Sequence, residues 1–226
     1  MRKTLYTLNI GNYAPEICEH TYPLFERYAH RCRAEFFVIK EPKFLDFPTC
    51  YEKLQIYDLA REREDEWSIY IDSDALVHPE TIDFTTFLGK DTVMHNGVDP
   101  APLRWRYDDI FFRDGRHIGS CNWFTIGSEW CRDLWAPLNI SLEDAYSNIQ
   151  PVQQELRSGV IDVPHLLDDY AVSRNIARFG LKTTTADKVY ERLGLKEPFF
   201  LWHMYDIPLA DKITKMHETL DNWKII

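Results

Sequence analysis

Trp67-Ser68-Ile69-Tyr70-Ile71-Asp72-Ser73-Asp74 is the stretch from which the rest of this chain is read. Its apolar run has the aromatic and β-branched content of a buried strand, and the acidic residues mark where that strand emerges. In extended backbone, residues two apart point to the same side, so Asp72 and Asp74 face one spot. Hard oxygen donors converging on one point suit Mg²⁺ or Mn²⁺, above all where a substrate phosphate supplies further ligands. An Asp-x-Asp alone is common in turns and helix caps. The surrounding sequence has to carry the reading.

Upstream, strand and helix patterns alternate. Residues 3–10 read as a first strand, with Gly11-Asn12-Tyr13-Ala14 as the turn after it. Pro15 suits the first position of a helix running to about Cys32. Residues 34–39 form a second strand, and a loop with Pro42 and Pro48 leads to a second helix over 51–63. There Tyr51, Leu54, Tyr57 and Ala60 share one face, opposite Glu52, Lys53, Asp58 and Glu62. The strand ending at Asp72 follows. Such alternation predicts a mostly parallel sheet with right-handed crossovers, flanked by helices: an α/β, Rossmann-like domain. Ligands of open α/β sheets bind beyond the carboxyl ends of the strands. Tyr13, Lys53, Asp72 and Asp74 therefore become neighbours by topology.

The second half is less regular. Residues 92–94 and 123–126 read as strands, and the aromatic, charged stretch 100–116 between them as a functional loop. Helices are expected over 129–135, 142–156 and about 209–223. Asp168 reads as the cap of another over 169–179 that stops at Gly180.

The chain has 226 residues without a linker, repeat or low-complexity stretch, which predicts a single domain over 1–226. Residues 1–90 would form its donor-binding half, and 91–226 its acceptor-binding and C-terminal half. At 45% hydrophobic residues it can bury a full core, and a formal charge of −10 argues against nucleic acid as a partner. Asn9, Gly11 and Asn12 interrupt any leader-like apolar run at the start, and no segment is long enough to span a bilayer. Cys18, Cys32, Cys50, Cys121 and Cys131 are odd in number and lack paired zinc spacing, which reads as reduced thiols in a cytoplasmic protein.

Several residues could carry chemistry. A cation in a first helical turn is opposed by the helix dipole, so Lys53 suggests an anion docked at that helix end. Tyr13 is a candidate platform for stacking a base, with a core aromatic as the bland alternative. Thr7 and Asn9 alternate in an otherwise apolar strand and could bond base or ribose. His203, among Phe199-Phe200-Leu201-Trp202 and Met204-Tyr205, is either a core histidine or a third metal ligand favouring Mn²⁺. Asp168 and Asp169 could accept hydrogen bonds from sugar hydroxyls, although capping accounts for one of them.

Tyr6-Thr7-Leu8-Asn9-Ile10-Gly11-Asn12-Tyr13, Tyr51-Glu52-Lys53-Leu54 and Ile69-Tyr70-Ile71-Asp72-Ser73-Asp74-Ala75-Leu76-Val77 together resemble the nucleotide-sugar half of GT-A glycosyltransferases, in the glycogenin and bacterial galactosyltransferase branch. The resemblance implies a GT-A fold and a metal-dependent transfer of sugar from a nucleotide-diphosphate donor, expected to be UDP-linked, to a carbohydrate or other hydroxyl acceptor. Retention of anomeric configuration is the expected outcome. It places Tyr13 by the base, Lys53 near the phosphates, and Mn²⁺ or Mg²⁺ on Asp72 and Asp74, with Ser73 among the donor contacts. It further implies His203 as the C-terminal metal ligand, Asn122 as a sugar contact and Asp168 or Asp169 as the acidic residue opening a late helix. The basic run that normally follows that histidine is missing, and Lys212 is the lysine within reach downstream. A nucleotidyltransferase making the activated sugar would use similar carboxylates, but Gly11-Asn12-Tyr13 does not supply its glycine-rich basic loop. A non-catalytic nucleotide-sugar-binding module is the other alternative, and the intact aspartate pair counts against it.

Overall fold

The computed structural model describes residues 1–95, 123–153, 163–195, 201–203 and 208–224. Within them the chain forms β1 (Lys3–Leu8), α1 (Pro15–Cys32), β2 (Glu35–Ile39), a 3₁₀ segment (Thr49–Gln55), α2 (Ile56–Glu62), β3 (Trp67–Ile71), β4 (Ala75–Val77) and β5 (Thr92–His95). After these come β6 (Phe124–Ser128), a second 3₁₀ segment (Glu129–Trp135), α3 (Leu142–Gln153), α4 (Leu167–Phe179), β7 (Lys182–Thr185), α5 (Ala186–Arg192), β8 (Leu201–His203) and α6 (Leu209–Asn222).

A six-stranded sheet in the order β2-β1-β3-β6-β5-β7 forms the centre. β1 pairs in parallel with β2 and β3, and β5 with β7, whereas β6 runs antiparallel to both β3 and β5. The sheet is mixed and mostly parallel, as expected of α/β alternation, and the reversed β6 joins its N-terminal and C-terminal parts. β1 and β3 are buried on both faces. Leu5 and Ile69 meet Phe25, Tyr28 and Ala29 of α1, whereas Tyr6 and Tyr70 join Leu54, Trp135 and the α4 residues Leu167 and Tyr170. Sandwiching a sheet between two such apolar layers is the stable solution for two-sided strands. A third cluster seats α6 on the body through Met216 and Leu220, against Ile17, Leu24 and Leu76.

α1 begins at Pro15, as its sequence predicts, behind Ala14 at φ 43°, and ends where Arg33 turns left-handed. Two expectations are corrected. The segment over 51–63 is not one helix: Thr49–Gln55 is a 3₁₀ turn and only Ile56–Glu62 is α-helical. Within the turn Glu52 and Lys53 are both buried, so the outward face read from an α-helical period does not exist. Glu52 has work there: its carboxylate accepts the backbone N–H groups of Lys43 and Phe44 and the Gln55 amide, which pins the preceding loop. Asp168 is also not a cap. α4 starts at Leu167 behind Leu166, with no side-chain cap, and both Asp168 and Asp169 lie in its buried first turn.

No helix among the described residues is long and apolar enough to cross a membrane. Cys18, Cys32, Cys50 and Cys131 are free thiols.

Candidate active site

The carboxyl ends of β1 and β3 lie side by side, because the two strands are parallel neighbours with Tyr6 opposite Tyr70. Beyond β1 the chain makes a left-handed turn, with Gly11 at φ 69° and Asn12 at φ 55°, and Tyr13 stands 49% exposed upon it. Beyond β3 comes Asp72-Ser73-Asp74. The Asp72 N–H donates to the Trp123 carbonyl at 2.8 Å and the Ala75 N–H returns to the Asp72 carbonyl at 3.0 Å, so the turn is tight. Thr21 of α1 donates its hydroxyl to the Ser73 carbonyl at 2.7 Å, tying the turn to that helix.

Lys53 is the centre of charge. Its ammonium lies 2.6 Å from Asp168 Oδ2 and 3.1 Å from Asp72 Oδ1, with its side chain 2% exposed. It also stands 4.6 Å from the centre of the Tyr70 ring, whose hydroxyl donates to the same Asp72 oxygen at 2.5 Å. Lone buried charges are costly, and this one is tolerated because two carboxylates and an aromatic face surround it. Burial, the largest single influence, pulls the Lys53 pKa down, but Asp168 and then Asp72 outweigh it and hold the ammonium well above its ordinary range. Burial first, and the Asp72 charge second, push the Tyr70 phenol far up, so it stays a proton donor. Cys50 closes the back of this cluster, donating to the Pro164 carbonyl at 3.2 Å; burial, reinforced by Asp168, pushes its thiol up.

Asp74 meets a different cation. Lys212, in the first turn of α6, donates to its Oδ2 at 2.5 Å, with the side chains 11% and 14% exposed. β4 and β8 pair antiparallel with Ala75 opposite His203, so the backbone sets His203 across from the residue that follows Asp74. The His203 side chain lies outside the described residues, as do Asn122 and the loop 100–116. Among the described residues, no three histidine, cysteine or acidic side chains gather closely enough to hold a metal ion by themselves.

The structure thus brings together Lys53, Asp72 and Asp168, with Asp169, 5% exposed, next to Asp168 in the first turn of α4. The anions that Lys53 meets are protein carboxylates. Asn9 is turned towards α1, where its amide donates to the Tyr22 hydroxyl at 2.8 Å and to Cys18 Sγ at 3.2 Å. Thr7 is fully buried in β1. Tyr70 and Cys50 were not singled out by sequence reasoning. Parity along the strand could have found Tyr70, two residues before Asp72; 3₁₀ spacing could have found Cys50, three before Lys53.

No protein-family model matches the chain, and no curated protein is similar enough in sequence to match it. Solved structures do match. One is a glycosyltransferase involved in glycosylation of the major capsid of PBCV-1, 12% identical, with 96% of this chain and 100% of that one covered at a TM-score of 0.50. Another is the galactosyltransferase LgtC in complex with donor and acceptor sugar analogs, 13% identical, with 96% and 95% covered at a TM-score of 0.50. At such identity the likeness establishes the fold, a single α/β arrangement of the GT-A type.

Proposed function

We propose that this chain is a metal-dependent glycosyltransferase that moves a sugar from a UDP-linked or similar nucleotide donor to a hydroxyl acceptor. The observation that carries the reading is the convergence of Asp72, Lys53 and Asp168 at the carboxyl edge of a GT-A-type sheet. Support comes also from the solved structures of that fold, one of which holds donor and acceptor sugar analogs.

The donor set suits a hard divalent cation, because Asp72 and Asp74 are oxygen donors on one turn and each already neutralises a cation, the ammonium of Lys53 or of Lys212. Asp72 and Asp74, with His203 as a third candidate, would hold Mn²⁺ or Mg²⁺. Bound there, the ion would stabilise the charge that develops on a departing nucleoside diphosphate. The chain's own residues account for the rest. Lys53 keeps a fixed positive charge at this edge and, itself buried, orients both carboxylates, so that the charge is preorganised. Asp168 and Asp169 open α4 at the edge of the cluster, as acceptors for donor-sugar hydroxyls. Tyr13 offers its exposed ring to the base, whereas Thr7, fully buried, and Asn9, bonded to α1, are left to support the strand beneath that edge. The bond from the sugar to the diphosphate breaks with its electron pair leaving on the diphosphate, the acceptor oxygen bonds the anomeric carbon, and its proton passes to the departing phosphate oxygen. Retention of anomeric configuration is the stereochemical outcome we assign.

The test is release of nucleoside diphosphate from a panel of UDP-, GDP- and CDP-sugars with and without Mn²⁺. We expect turnover with one donor class, lost in Asp72→Ala and Asp74→Ala. Unchanged Mn²⁺-dependent turnover in both variants would sink the assignment, and pyrophosphate consumption in its place would indicate a nucleotidyltransferase.

A further inference from the structure

The Asp72–Asp74 turn carries two lysines, and they are held differently. Lys53 sits between two carboxylates, whereas Lys212 reaches Asp74 from a separate helix at 2.5 Å. Lys212 occupies the first turn of α6, where the helix dipole opposes a cation. Its helix does not depend on that contact, because Met216 and Leu220 seat α6 on Ile17, Leu24 and Leu76. A lysine stem has four rotatable carbons, so the ammonium can leave Asp74 while α6 stays docked.

We propose that Lys212 is a counter-cation gate: it holds Asp74 until a divalent cation and a nucleoside diphosphate arrive together. This rests on the metal-dependent reading above. The physical reason is mutual exclusion. A divalent ion on Asp74 competes with the ammonium for one carboxylate and is repelled by it; Lys53 keeps Asp168 when Asp72 takes the ion, whereas Lys212, paired with Asp74, is the cation that gives way. The expelled ammonium then needs an anion, and a diphosphate bound to the same ion provides one nearby. Cation alone therefore binds against Lys212, whereas cation with nucleotide binds with its help. Such reciprocal dependence is positive coupling between two ligands.

The gate is read by Mn²⁺ binding, followed through the electron paramagnetic resonance signal of free Mn²⁺, with no sugar donor and no turnover. Parent, Lys212→Met and Lys212→Arg are titrated with and without UDP. Lys212→Met should bind Mn²⁺ alone at least about tenfold more tightly than the parent, a difference of about 1.4 kcal/mol. Addition of UDP should sharpen Mn²⁺ binding strongly in the parent and far less in Lys212→Met. Lys212→Arg, which keeps the charge, should behave like the parent. If Lys212→Met does not fold, Lys212→Gln serves, since it keeps a polar end without charge. Equal Mn²⁺ affinity of parent and uncharged variant in the absence of UDP overturns the gate and leaves the metal site standing. No Mn²⁺ binding by any of them, with or without UDP, removes the metal reading and the gate falls with it.

Discussion

Lys53 and Lys212 end on the same three-residue turn, one from the 3₁₀ segment Thr49–Gln55 and one from α6. Lys53 is 2% exposed, shared between Asp72 and Asp168, and packed against the Tyr70 ring. The Lys212 side chain is 11% exposed and reaches one aspartate from a helix that is anchored by other residues. The difference separates two uses of a buried cation. Where a lysine is surrounded by several partners, charge has become part of the fold, because removing it strands the partners. Where it meets one carboxylate at the margin, charge can be exchanged for another cation.

The largest effect belongs to Lys53→Met. It leaves Asp72 and Asp168 facing each other without a cation in a largely buried setting, at a cost of ~3–5 kcal/mol of stability. Urea unfolding measures it. Adding Asp168→Asn should recover part of the loss, because the two sites share one interaction and their effects do not add. Simple additivity would mean that the ion pair contributes nothing of its own.

Tyr13→Ala should lower affinity for UDP by ~1–3 kcal/mol, the range for an aromatic under a base. Its ring is half-exposed on the turn, so melting temperature should stay close to that of the parent. Calorimetric titration decides it, and unchanged UDP affinity would take Tyr13 out of the site. In the absence of any ligand, Lys212→Met should cost ~1.5–3 kcal/mol, the range of one charge-assisted hydrogen bond and below the cost of Lys53→Met. Similar losses for the two lysines would erase the distinction between fixed and exchangeable charge.

What could be read from sequence, and what could not, follows from range. The β1–α1–β2 run, the aspartate turn and the Pro15 helix start are local: period, turn residues and capping chemistry state them within a few positions. Topology then put Lys53 at the edge where Asp72 emerges. The partner that matters as much, Asp168, sits far along the chain, and nothing near it marks it as a lysine's counter-ion. Its position before an apolar helix read as a cap because caps are the local use of aspartate there. The burial of Glu52 and Lys53 was hidden for a similar reason, since an α-helical period assigns a face that a 3₁₀ turn does not have. β4 and β8 are three residues each, too short to show a period, and β7, Lys182-Thr183-Thr184-Thr185, is polar enough to pass for a loop. These elements exist because of what they pair with.

The smallest effect concerns how α6, and with it Lys212, is held. Two aromatic contacts fasten it: His20 of α1 meets His217 edge-on at 4.5 Å, and His78 meets Trp223 at 4.9 Å. Burial first, then the charge of His217, lowers the His20 pKa, and Glu19 offsets only part of this. Burial also lowers His78, where Glu80 and Arg31 act in opposite directions. Both histidines are thus harder to protonate in the folded protein than in the unfolded chain. Their contribution is complete above the unfolded value of about 6.5 and is lost as pH falls through the lower folded values. Acidification from pH 7.5 to 5.5 should therefore loosen α6 before the sheet, raising hydrogen exchange of its amides a few-fold while the protons of β1 and β3 stay protected. His20→Gln should flatten this dependence, because one of the two facing imidazoles can no longer charge. The Lys53 cluster has no histidine among its named partners, so its amides should not follow the same curve. If they do, acid loosens the whole fold together, and α6 is no more separable from the body than the sheet itself.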